Sequence, residues 1–197
     1  MSQPTAVERV DLDVAERTAP ARRNPLVKAA GRISELADQP PLISICIATT
    51  LIGMVARNRR MTRAGATMLA AELLATQVKT SVKDRVDRTR PEAVSDGRDY
   101  KMQPGGSQES DDSSFPSGHT AGAVTVARAF ARVYPEHRLA AYGTAAAVAL
   151  IQIPRSKHYL SDLAAGAVVG IAAELAVDAV AGKRDEDTSD DERRPRG

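Results

Sequence analysis

The chain has 197 residues and a formal net charge of +2, which suits one domain with one core and gives no strong electrostatic bias toward a polyanion. Aromatic residues make up only 3% of it, and no basic stripe carries interleaved aromatics, so nucleic-acid binding is excluded as a working class. The single cysteine, Cys46, lies in an apolar run; it rules out an internal disulfide framework and a multi-cysteine metal site and reads as a small packing residue.

Residues 1–24 are polar, with Pro4, Pro20 and charges of both signs, and are expected to form a mobile tail. They lack the basic, apolar and small-residue order of a cleavable leader, so no export signal is read there. Residues 26–38, after Asn24, are expected to form a short amphipathic helix that stops before Pro40 and Pro41. Residues 1–40 therefore divide into a tail and a helix. Residues 41–56 carry no charge and end abruptly at the basic segment RNRRMTR, which makes them the strongest membrane candidate. A second apolar run, 64–78, is interrupted by Glu72 and feeds into KTSVKDRVDRTRP.

Residues 92–115 contain Gly97, Pro104, Gly105, Gly106 and the stretch SQESDDSS, which oppose both helical and strand periodicity and read as a long loop. Helical composition returns at 119–134, 138–153 and 161–181, dominated by alanine, which favours helix and lets neighbouring helices approach closely. Residues 183–197 are charged and of low complexity and are expected to be disordered. Strand signals are nearly absent. The expected fold class is all-α, a bundle of about five to six helices within residues 41–182.

The uncharged runs are about 15 to 19 residues long, at or below the roughly 20 needed to cross a hydrocarbon core. A soluble alanine-rich bundle and a membrane-embedded one both fit that composition. If the helices run up and down in order, RNRRMTR and the YPEHR turn share one end, while residues 83–119 and 155–162 share the other. The short basic loop gives the first end the character of a cytoplasmic side, and the embedded bundle is the working expectation.

Three segments carry chemistry. Lys83 and Arg90 are seven positions apart, nearly two turns if one helix holds both, so they would project from one face onto a shared anion. A solvated basic helix end is the competing reading. In PSGHT, Ser117 and Gly118 sit where a loop enters a helix starting near His119. Helix N-termini present open N–H groups, so this turn either cradles an anion, with Ser117 donating and His119 as general acid, or is an ordinary serine cap beside an exposed histidine. His158 and Asp162 have i, i+4 spacing, which on a helix would put the carboxylate on Nδ1–H and free Nε2 to attack. A structural His–Asp pair fits the same spacing. Arg155 can join the anion site, although Pro154 disturbs the local helix; His137 reads as a loop residue at the other end.

In order along the chain, these segments resemble the type 2 phosphatidic acid phosphatase superfamily, which also includes vanadium haloperoxidases and bacterial acid phosphatases. Lys83, Arg90 and Pro91 match its first block, and Pro116, Ser117, Gly118 and His119 its second. His158 and Asp162 match the third, whose arginine position holds Gln152; Arg155 is the nearest substitute. The resemblance implies a helical bundle and metal-independent hydrolysis without a cofactor. Lys83, Arg90, Ser117, Gly118 and Arg155 would hold the phosphoryl group, His158 would attack phosphorus, Asp162 would orient it, and His119 would protonate the leaving oxygen. The membrane branch of the family further implies a lipid phosphate substrate: phosphatidate, phosphatidylglycerol phosphate or a polyprenyl (di)phosphate. It also implies a bacterial inner membrane with the site on its outer face. A non-catalytic lipid-phosphate-binding protein and a vanadate-dependent haloperoxidase are the alternatives.

Overall fold

The computed structural model describes residues 4–107 and 109–193, with side chains as far as Ala181. Its helices start where the local chemistry supplies a cap. In α1 (Ala6–Thr18) the Thr5 side chain accepts from Glu8 N while the Glu8 carboxylate accepts from Thr5 N at 2.7 Å, a reciprocal capping box. In α2 (Pro25–Ser34) the Asn24 side chain accepts from Leu26 N, and Pro25 stands at the first position, where its missing N–H costs nothing. Helix α3 (Gln39–Val55) tolerates Pro40 and Pro41 in its first turn for the same reason. Helix α4 (Arg59–Lys83) is capped by Asn58, and α6 (Gly118–Val133) by Ser117. Helix α7 (Arg138–Leu150) and α8 (Leu160–Arg193) complete the bundle.

Helix α4 packs on α3, α6 and α8, and α6 packs on α7 and α8. The interfaces are built from alanines: Ala64, Ala71, Ala75, Ala121, Ala129 and Ala173 are all buried. At the contact between α6 and α8, a Cβ on Gly166 would lie 2.5 Å from Ser117 O, and one on Gly170 would lie 2.6 Å from Ala121 O. Glycine at this four-residue repeat lets α8 press onto the first turns of α6, and the start of α8 meets the start of α6 where Ser117 N donates to Asp162 O at 3.0 Å. At the far end, Arg60 donates to Val133 O at 2.9 Å and to Glu136 Oε2 at 2.7 Å, so the RNRRMTR and YPEHR turns do share one end.

The all-α bundle stands, with five long helices packed together, but five local expectations change. Residues 4–23 are not a loose tail: α1 and a following 3-10 turn are ordered, and Asp11 is buried. Lys83 and Arg90 do not share a helix. Helix α4 ends at Lys83, strand β1 (Val86–Arg88) follows, and Arg90 is extended, with φ −67° and ψ 148°, as the residue before Pro91 must be. The 92–115 loop contains structure of its own: α5 (Pro91–Ser95), strand β2 (Met102–Pro104) pairing antiparallel with β1, and a 3-10 turn at Ser110–Asp112. Nor do His158 and Asp162 sit one turn apart on a helix, because α8 starts at Leu160. The expected disordered segment 183–197 is helical backbone as far as Arg193; residues 194–197 and the side chains beyond Ala181 lie outside the described residues.

Among the described residues, the segment Leu160–Ala181 is long and apolar enough to cross a membrane. Pro25–Ala37 and Gln39–Val55 reach that length together, with a 55° bend between them.

Candidate active site

One end of the bundle holds a cavity of about 390 Å³ that brings the three sequence segments together: Lys83 and Arg90, Gly118 and His119, and Arg155 and His158 all line it. Lys79, Lys157, Glu35 and Asp38 complete the wall. Lys83 and Arg90 converge from different elements. The Lys83 ammonium donates to Ser113 O, and the Arg90 guanidinium donates to Ser110 O at 2.7 Å and Ser113 Oγ at 3.4 Å. Both cations are thus braced by the 110–113 turn.

Ser117 does not reach the cavity. Its side chain is fully buried and accepts from Thr120 N at 3.4 Å and Thr120 Oγ1 at 3.0 Å, so the hydroxyl expected to donate to an anion caps α6 instead. The first-turn N–H groups of Gly118 and His119 have no intrahelical acceptor, and both residues line the cavity.

His158 is 4% exposed, and its Nδ1 is 2.8 Å from Ser114 O. A carbonyl can only accept, so Nδ1 carries the proton and Nε2 holds the free lone pair. Asp162 stands farther off, 3.7 Å from Nδ1, beyond hydrogen-bond range. Its Oδ2 accepts from Ser114 Oγ at 2.6 Å and Tyr159 N at 2.8 Å, and its Oδ1 from Arg88 Nη1 at 2.6 Å. The carboxylate therefore holds the segment bearing the Ser114 carbonyl, and the carbonyl holds the ring. Burial pushes the His158 imidazole down to about 4, with the charges of Arg90 and Lys83 acting the same way against the nearby carboxylate. The ring is neutral near pH 7.

Arg155, three residues after Gln152, lines the cavity. Its guanidinium donates to Ser34 Oγ at 2.9 Å and Gln152 Oε1 at 3.2 Å, and pairs with Glu35. Gln152 is 1% exposed and lies behind Arg155, its amide donating to Val148 O at 3.0 Å and Ser34 Oγ at 3.3 Å. The other oxygen of Glu35 is 3.5 Å from His119 Nε2.

Four lining residues escaped the sequence reading. Lys79 precedes Lys83 by four residues on α4, a spacing that signals a shared face; Lys157 adjoins His158, inside the motif segment. Glu35 and Asp38 had no local signal, because only folding brings the α2–α3 junction to this end. Glu35, Asp38 and His119 each place a ligand atom within 4.8 Å of the others, a trio able to hold a cation. Five cations of the same wall outnumber the two carboxylates, and the balance favours an anion.

A neutral histidine, a histidine at a helix entrance and five cations line one cavity at one end of a helical bundle, an arrangement chemically suited to a phosphate-type anion. The chain belongs to the PAP2 superfamily, whose family model matches residues 60–185. Among solved structures, it is similar to the transmembrane PAP2-type phosphatidylglycerolphosphate phosphatase of Bacillus subtilis, with 18% identity, TM-score 0.62, and coverage of 92% of this chain and 89% of that one. It is also similar to LpxE of Aquifex aeolicus, with 19% identity, TM-score 0.61, and coverage of 85% and 93% respectively. At these identities the likeness establishes the fold. By sequence, no curated relative matches the chain.

Proposed function

We propose that the protein is a membrane-embedded lipid phosphatase that works without a metal through a phosphohistidine on His158. The carrying observation is the neutral His158, with Nδ1–H committed to the Ser114 carbonyl, in a cavity walled by Lys83, Arg90 and Arg155. Nε2 attacks phosphorus and the phosphate ester bond breaks, while His119 gives its proton to the departing alcohol oxygen. Water then attacks the phosphorus–nitrogen bond, His119 takes back a proton, and inorganic phosphate leaves. The cations and the open N–H groups of Gly118 and His119 stabilise charge on the non-bridging oxygens. Burial holds the His119 imidazole below its ordinary value, and the carboxylates of Asp38 and Glu35 act against that shift, toward the protonated state that the first step needs.

The substrate is a lipid phosphate: phosphatidate, phosphatidylglycerol phosphate or a polyprenyl (di)phosphate. A lipid-facing setting is supported by the apolar residues on the outside of the bundle, among them Leu51, Ile52, Val55, Leu139, Val168 and Val180, each more than half exposed. Phosphate release from detergent-solubilised protein in EDTA, across that panel, is the test. Wild type is expected to turn over at least one member, with inhibition by vanadate, and His158→Ala to fall to background. Retained turnover in His158→Ala would sink the mechanism. A second reading, binding without turnover, draws on Gln152; it wins if the panel binds and none is hydrolysed.

A further inference from the structure

Beside the His119/His158 cavity lies a second one of about 500 Å³, and Glu35, Arg155 and Lys157 belong to the lining of both. Its remaining cations come from outside the family match: Arg22 and Arg23 after α1, and Lys28 and Arg32 one turn apart on α2. Six cations in this wall face three carboxylates, and the carboxylates are already engaged. Asp96 accepts from Arg22 Nη2, Glu92 from Lys157, and Glu35 from Arg155. Arg22 Nη1 is buried with no hydrogen-bond partner. Arg23, Lys28 and Arg32 line the cavity, are exposed, and make no ion pair within 4.0 Å among the described residues, although the Arg23 charge acts on Asp96 from farther off. The uncompensated charge of this cavity is positive, and its unfilled donors are guanidinium and ammonium groups, the chemistry that takes a phosphate.

Two features connect this cavity to the reaction. Arg155 lies across α2 at Gly31, where a Cβ would stand 2.7 Å from its Nε, so the residue that serves the first cavity also walls the second. On α2 itself, Leu26 and Ile33 are 78% and 70% exposed beside Lys28 and Arg32, the pattern of a helix lying at headgroup depth.

We propose that this second cavity binds the phosphodiester of a lipid whose terminal phosphomonoester occupies the His119/His158 cavity. The inference rests on the lipid-phosphatase reading and narrows it to a substrate class: a phospholipid with a diester phosphate and a monoester phosphate joined by a short polyol. The polyol, as leaving group, passes His119 and the carboxylates of Glu35 and Asp38, which accept its hydroxyls. Phosphatidate carries no second phosphate. A diphosphate joins its two phosphates through one oxygen and keeps both in the first cavity.

The test compares phosphatidylglycerol phosphate with phosphatidate in neutral-detergent micelles, for wild type and for the triple variant Arg23→Gln, Lys28→Gln and Arg32→Gln. Removing the three charges is expected to raise KM for phosphatidylglycerol phosphate about tenfold, with kcat within about twofold, and to move KM for phosphatidate far less. A parallel rise for both lipids, or no change for either, overturns the proposal. Added phosphatidylglycerol separates the substrate's own diester from a neighbouring headgroup: stimulation of phosphatidate turnover by it would assign the cavity to the neighbour and overturn the proposal. Affinities of both lipids for His158→Ala protein, with and without the triple substitution, provide a readout independent of turnover. If wild type hydrolyses only the polyprenyl (di)phosphate of the panel, the proposal is overturned while the phosphatase reading stands; if it hydrolyses no member of the panel, the phosphatase reading fails. The second cavity then stands only if the triple variant weakens binding of phosphatidylglycerol phosphate selectively, and falls if both affinities change alike.

Discussion

Arg155 and Gln152 differ in where they lie relative to the cavity. The residue six before His158 is Gln152, buried and turned toward Val148 O and Ser34 Oγ, while Arg155 lines the cavity. Both residues lie in a run of turns after α7, in which Ser156, next to Arg155, has φ 56°. Replacing Arg155 with alanine is expected to lower kcat about 10²-fold, since one preorganised charge contact at the transition state is lost. Adding Gln152→Arg to that variant is expected not to restore activity, because position 152 is packed behind the wall. Recovery of more than about tenfold in kcat would make 152 the working position. Motif spacing made His119, His158, Asp162, Lys83 and Arg90 readable in the sequence. It could not show that Ser117 turns inward to cap α6, or that a carbonyl rather than Asp162 holds the His158 ring, since both depend on which atoms the folded loops bring within hydrogen-bond range.

Helix α1 is the element whose role was hardest to foresee. Its capping box at Thr5 and Glu8 is written in the sequence, but a polar composition with Pro4 and Pro20 hides it. Its importance comes from Asp11, which accepts from Arg88 Nη2 at 2.7 Å and Ser161 N at 3.1 Å. Arg88 is fully buried, spans from Asp11 to Asp162, and lies 4.2 Å over the Tyr159 ring. The chain of contacts thus runs from α1 through β1 to the start of α8, beneath His158. Asp11→Ala leaves Arg88 with one carboxylate where it had two. The expected cost is about 3 kcal/mol, a fall in melting temperature of roughly 10 °C for a protein of this size. Thermal unfolding in detergent measures it; a change below about 2 °C would show that α1 does not secure the site. The helices themselves were readable because alanine-rich runs have strong local propensity. The β1–β2 ribbon was not, since each strand has only three residues and its pairing joins segments some fifteen residues apart.

The bundle as a whole has two unlike ends. One holds the two cavities that share Arg155; at the other, α8 returns to α6 through Glu174, which pairs with Arg128 at 2.9 Å and also with Arg132. Arg57, Arg59, Arg60 and Arg63 crowd the α3–α4 turn at that second end. A simple count of basic residues does not orient the chain, because the site end also carries many. Several of those are committed, Arg88 to buried carboxylates and Arg155 to Glu35, whereas the α3–α4 turn is a short basic loop next to an uncharged helix, the kind that dominates orientation. The site end is therefore expected to face outward. Cys46, the sole cysteine, is fully buried, so single-cysteine labelling has a low background. Ser95→Cys, at the site end, is expected to react with a membrane-impermeant maleimide in intact cells. Arg138→Cys, at the other end, should react only after permeabilisation, and both proteins should stay in the carbonate-washed pellet until detergent is added. Equal labelling of both positions in intact cells, or release of the protein by carbonate, would overturn the embedded, outward-facing arrangement.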